Sequence, residues 1–174
     1  MSQIIGVIPI LATPFKKNGD INFKDYEKEC EFLITNDVNG IGLALGSEIF
    51  KLDFEEKEKL IKILYKSIQQ SKKNINIIIN TGTSSMNETI RLSKQAQDLG
   101  ANALMVMPPN LITLNDSEIM QYYETISCNI PLPIVMQDIP GASLSNNLIV
   151  NLANNIEYCR YVKLEVPPTP IKIE

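Results

Sequence analysis

Short β-branched runs return about every 30 residues along this chain, separated by stretches with apolar residues at helical spacing, and that alternation admits few folds. The runs are 4–12 (IIGVIPILA), 40–45 (GIGLAL), 75–80 (INIIIN), 103–107 (ALMVM), 133–138 (PIVMQD) and 160–164 (RYVKL), which read as six strands. Segments 23–36, 54–71, 86–99, 116–128 and 145–155 read as amphipathic helices. In the second, Leu60, Ile61, Leu64 and Ile68 form one apolar face, while Glu55, Glu56, Lys59 and Lys62 lie mostly elsewhere, as on a helix that covers a sheet. Asn22 or Asp25, Asp53 with Glu56, and Ser85 with Glu88 are helix starts, and Gly100 is a stop.

Strands that return through helices form right-handed βαβ units and a parallel sheet. Nothing in the sequence marks a linker, so residues 1–174 read as one domain. A doubly wound sheet and part of a (β/α)8 barrel both fit the spacing. The phosphate fingerprints GxGxxG and GxxxxGK[ST], which often accompany the first, are absent. Small or polar residues instead gather at the carboxyl end of nearly every strand: TPF, GSE, NTGTSS, MPPN, QDIPG and KLE. In a barrel those ends meet over one mouth, where barrel enzymes place their sites. The expected fold is therefore α/β, an incomplete TIM (β/α)8 barrel with about six of its eight βα units.

Composition narrows the chemistry. With 44% apolar residues the chain can bury a core, and no run approaches the ~18 to 20 apolar residues of a membrane helix. A cytoplasmic protein with no membrane partner is expected. A net charge of −4 without a basic stripe argues against nucleic acid. Cys30, Cys128 and Cys159 are far apart and form no CxxC pair, so they read as plain thiols. The chain has no histidine. Ser-His and Cys-His activation and the common His-containing zinc sites are thereby excluded, leaving Lys, Asp, Glu, Tyr or Cys for acid, base or nucleophile.

Taken in order, the motifs resemble the dihydrodipicolinate synthase and N-acetylneuraminate lyase family of Schiff-base-forming barrels. GVIPILATPFKKNGDINF is similar to its opening strand, turn and loop; LGSEIFKL stands where the family has GxxGE, with Glu48 matching the Glu. GTSSMNETIRLSKQAQDLGANALMVMPPN matches the third helix and fourth strand, LPIVMQDIPG the fifth strand, and YVKLE supplies a lysine, Lys163. The resemblance implies that Lys163 condenses with the ketone of pyruvate or a related 2-oxo acid, burial in an apolar barrel helping to keep the amine neutral. The resulting iminium is an electron sink, so neither metal nor cofactor is implied. The partners implied are a small-molecule 2-oxo acid and further copies of the chain in a homo-oligomer.

The sequence also departs from the family. Around GxxGE the family commonly offers hydroxyls to the substrate carboxylate, whereas here only Ser47 does so, with the Gly46 and Ser47 amides as a possible anion nest and Glu48 beside them. The family's proton-relaying tyrosine on strand five is replaced by Gln137, whose amide orients but does not titrate. MPPN lacks the second tyrosine that lysine-pathway synthases place after strand four. These changes favour an aldolase or dehydratase acting on a 2-keto-3-deoxy sugar acid, with Glu48, Asp138, water or substrate handling protons. Loop capping is the plainer expectation for Asp138 and Glu165. A closed barrel has eight strands and typically ~250 residues. The alternative reading is accordingly a truncated, non-catalytic half-barrel that serves as an interaction subunit or has no activity.

Overall fold

Each helix begins where a polar side chain can take up the unpaired N–H groups of its first turn. The computed structural model describes residues 3–173 and contains α1 Phe23–Thr35, α2 Phe54–Ser71, α3 Met86–Asp98, α4 Asp116–Asn129, α5 Asn146–Asn155 and a short α6 Thr169–Ile173. Asn22, not Asp25, caps α1. At α2, Asp53 accepts from Glu56 N at 2.8 Å while Glu56 accepts from Asp53 N at 3.0 Å, the reciprocal box that the sequence predicts. Leu60, Ile61, Leu64 and Ile68 are buried as expected, each contributing about 1.5–3 kcal/mol of hydrophobic stabilisation. Gly100 follows α3 at φ +92°, a left-handed position that suits glycine.

The strands are β1 Gly40–Leu43, β2 Asn76–Asn80, β3 Ala103–Val106, β4 Ile134–Asp138 and β5 Cys159–Leu164, in sheet order β1-β2-β3-β4-β5. The sequential order excludes the doubly wound alternative, whose strand order reverses. Among the described residues five strands replace the six expected, because segment 4–12 contributes an isolated bridge, Ile10 with Gly42, rather than a ladder. Pro9 O accepts from Gly42 N, and Leu11 N donates to Gly42 O. Pro9 has no N–H to add the next rung on that edge, so the ladder stops short. Beyond β5 the chain winds into the short α6.

Two compact units divide the chain: the residues through Asn80 with Asp98–Asn102, and Thr81–Gln97 with Ala103 onward. In the first, β1 pairs with β2 in parallel from Gly40↔Asn76 to Leu43↔Ile79. Its core includes Leu11, Tyr26, Cys30, Ile41, Leu60 and Leu64, all fully buried. Lys59 Nζ stands 3.7 Å from the centroid of the Phe23 ring, joining α2 to α1 by a cation–π contact.

In the second unit β3 pairs with β4 and β4 with β5, all parallel. Leu104, Tyr123, Ile126, Ile134, Leu152 and Cys159 fill its core. Gly82 lies so close to the next strand that a Cβ would meet Met107 N at 2.7 Å, which leaves room for no other residue. The β4–β5 ladder contains a bulge: Ile134 pairs with Cys159 but Val135 with Tyr161, so Arg160 is skipped. Among the described residues no helix is long and apolar enough to cross a membrane.

Candidate active site

Gly46, Ser47 and Glu48 belong to the first unit, and Gln137 and Lys163 to the second. After β1 the chain turns through two single 3₁₀ turns, Leu45–Ser47 and Ile49–Lys51, with Glu48 between them in the left-handed region at φ +54°. Ser47 is fully buried. Its Oγ accepts from Ala44 N at 3.1 Å, and its carbonyl accepts from the Thr13 hydroxyl at 2.6 Å, so the TPF and GSE motifs are joined directly. Ser47 N–H, one of the two amides expected to cradle an anion, donates to Ala44 O at 2.9 Å and closes the turn. The Ser47 hydroxyl keeps its own proton to donate. Glu48 pairs with Lys51 at 2.8 Å, one turn further on. That local contact, between side chains about half exposed, is worth ~0–1 kcal/mol.

In the second unit the segment 81–85 after β2 is tied down by hydroxyls, its own and those of Thr89, Ser93 and Tyr122. Ser93 Oγ donates to Thr81 Oγ1 at 2.8 Å, Thr83 N to Thr89 Oγ1 at 3.0 Å, and Tyr122 OH to Thr83 O at 3.0 Å. Burial pushes the Tyr122 phenol above its usual range, against the opposing effect of its bonds to Thr89 and Thr83. Tyr123, fully buried and donating to Val106 O at 2.8 Å, is pushed up further by burial. Both phenols therefore stay protonated and serve as donors that hold loop and strand.

At the carboxyl ends of β4 and β5 the arrangement is different. Gln137 and Lys163 are register partners on adjacent strands. Glu165, two residues beyond Lys163, reaches both: Lys163 Nζ lies 2.5 Å from Glu165 Oε1, and Gln137 Nε2 donates to Glu165 Oε2 at 2.8 Å. Lys163 and Glu165 are about one-third exposed, whereas Gln137 is buried. The lysine was expected among apolar walls; its nearest charged neighbour is instead a carboxylate able to take the proton that an attacking amine must lose. Glu165, read from sequence as a loop cap, is thus part of the cluster. Asp138 does cap its loop, accepting from Leu144 N at 2.8 Å and from Ser143 Oγ at 3.2 Å.

Between the loop after β3 and Gly141–Ser143 lies a cleft of about 280 Å³. Asn110, Thr113 and Ser143 supply its polar side chains beside Leu111, Ile112 and Leu114, and no charged side chain lines it.

Residues 3–163 match the dihydrodipicolinate synthetase family. The chain belongs to that family. It is 31% identical over 161 residues to a 4-hydroxy-tetrahydrodipicolinate synthase of Thermodesulfovibrio yellowstonii, covering 92% of this chain and 54% of the relative. It is 28% identical over 174 residues to an L-2-keto-3-deoxyarabonate dehydratase of Azospirillum brasilense, covering 97% and 55%. The crystal structure of the Acinetobacter baumannii dihydrodipicolinate synthase complexed with pyruvate superposes with a TM-score of 0.89 at 31% identity, covering 97% of this chain and 58% of that one. The fold is thus α/β, a partial (β/α)8 barrel. The chain spans about half the length of the curated relatives it matches.

Proposed function

We propose that this chain carries the Schiff-base centre of a lyase acting on a 2-oxo acid, with Lys163 as the nucleophile. The observation that carries the reading is the bridge of Glu165 between Lys163 and Gln137. The Lys163 ammonium gives a proton to Glu165, and the freed amine adds to the ketone carbon. A second proton passes from the nitrogen to the former ketone oxygen to give the carbinolamine, and Glu165 returns the first to that hydroxyl, which leaves as water as the nitrogen lone pair forms the iminium. Loss of a proton from the adjacent carbon to Glu165 gives an enamine, which expels the hydroxyl one carbon further along as water by taking that proton back; in aldol cleavage the C–C bond there breaks from the iminium and leaves the enamine. Gln137 holds Glu165 in place without titrating.

A 2-keto-3-deoxy sugar acid is the favoured substrate. The uncharged, partly hydroxylated cleft beside the β4 end suits a neutral polyol chain better than a second carboxylate. The dehydratase relative supports the same choice. Incubation with pyruvate and borohydride should trap an adduct on Lys163, detected by peptide mass, and Lys163→Ala should abolish it. Absence of an adduct with pyruvate and with every 2-keto-3-deoxy acid tried overturns the proposal.

A further inference from the structure

Asp138, the last residue of β4, is fully buried, and both of its oxygens lie 2.8 Å from Lys172 Nζ. Lys172 comes from α6, beyond the prolines, and also donates to Leu144 O at 2.9 Å and Ser143 Oγ at 3.1 Å. Its side chain is 18% exposed, against 32% for Lys163. The Asp138 carbonyl accepts from Glu165 N–H at 2.9 Å. One residue therefore ties together the loop after β4, the helix after β5 and the backbone of the carboxylate that faces Lys163. Its neighbour in sequence, Gln137, holds the other oxygen of that carboxylate.

We infer that Lys172, through its ion pair with Asp138, is a positioning residue that fixes Glu165 and Gln137 against Lys163. Without Lys172, Asp138 is a buried anion held by dipoles alone, and such a group recovers hydration only by loosening the strand end it terminates. The loosened end is the one from which Gln137 and Glu165 meet. Lys172 is itself a poor imine former, because its three protons face four acceptor contacts. The two lysines thus have separate duties, one reacting and one holding.

The inference rests on the proposed lyase reading, and the experiment separates the two. On the full chain, the rate of pyruvate–borohydride trapping at Lys163 is measured across a pH series for Lys172→Met, Lys172→Arg and the double variant Lys172→Met with Asp138→Asn, which removes both charges together. The expected result is trapping slowed about 10²-fold in Lys172→Met, as a displacement of ~1 Å would cause, with an altered pH dependence and substantial recovery in Lys172→Arg. If Lys172→Met fails to fold, the double variant carries the test and should remain slow while folded by circular dichroism. In parallel, the Gln137 side-chain amide resonance, which reports its bond to Glu165, should move in the same variants. If the wild-type chain traps nothing, the lyase reading falls and the Gln137 resonance alone decides the inference. Folded variants with an unmoved Gln137 resonance, or with wild-type trapping and pH dependence, overturn it.

Discussion

At the carboxyl end of β1 the polar groups satisfy one another mostly through backbone: Ser47 N–H closes on Ala44 O, and Ser47 O takes the Thr13 hydroxyl. At the ends of β4 and β5 the bonds run between side chains, Lys163 to Glu165 to Gln137 and Lys172 to Asp138. A backbone-built turn tolerates a changed side chain, since its shape survives. A side-chain cluster depends on single atoms. The turn after β1 therefore holds its shape around a single serine hydroxyl, while the lysine end depends on each member of its charged set.

The comparison can be broken at its strongest point by Glu165→Gln, which keeps the shape and removes the proton acceptor. Adduct formation at Lys163 should slow by about 10²- to 10⁴-fold, the range for a general acid or base, with the unfolding midpoint little changed. An unchanged trapping rate would mean that the side-chain end works no differently from the turn.

A second experiment asks whether the cores beneath the two ends differ. Burial, the main cause, pushes the Cys30 thiol of the first unit and the Cys159 thiol of the second from 9.0 up to about 12. At equal pH each thiolate fraction is therefore lower by about 10³-fold than for an ordinary thiol. Native-state alkylation near neutral pH should label exposed Cys128 first and leave the other two. Raised folded values give stability that is fully present below the unfolded value near 9 and is lost as pH rises toward 12. Alkaline melting should therefore weaken both units over that window.

Ser47→Ala is a smaller test. It leaves buried Ala44 N–H without its acceptor, at a cost of about 1–3 kcal/mol in chemical denaturation, while trapping at Lys163 should fall less than in Glu165→Gln. Smallest of all, Glu48→Gly relieves a left-handed residue and loses one surface ion pair. The relief of ~1–2 kcal/mol is opposed by the ion pair's ~0–1 kcal/mol and by about 0.4–1 kcal/mol for glycine's greater freedom in the unfolded chain, so the denaturation midpoint should shift little.

What the sequence reveals follows from how far each signal reaches. The α2 boundaries and the Asp53–Glu56 box depend on residues a turn apart and were legible. The order of the surrounding motifs singles out Lys163 as the proposed nucleophile. The short ladder at 4–12 was not legible, because apolar content there suggests a strand while Pro9 removes a rung. The Glu165–Gln137 bond and the Lys172–Asp138 pair escaped for another reason: the partners lie 28 and 34 positions apart, and no local pattern reports such pairs. The one hint was the Lys172 tail itself, a lysine between two isoleucines after Thr169-Pro170, which suits a helix start.

The skipped Arg160 has a consequence in residue counting. Had the ladder continued in step from Ile134–Cys159, Gln137 would face Val162, and Lys163 would stand opposite Asp138. The extra position works as a phase correction between two strands, converting an apolar pairing into an amide–lysine pairing without altering any chemical group. A lineage can therefore gain or lose this constellation by inserting or deleting one codon in β5, and such a change would leave every motif in the sequence readable while its side chains no longer met.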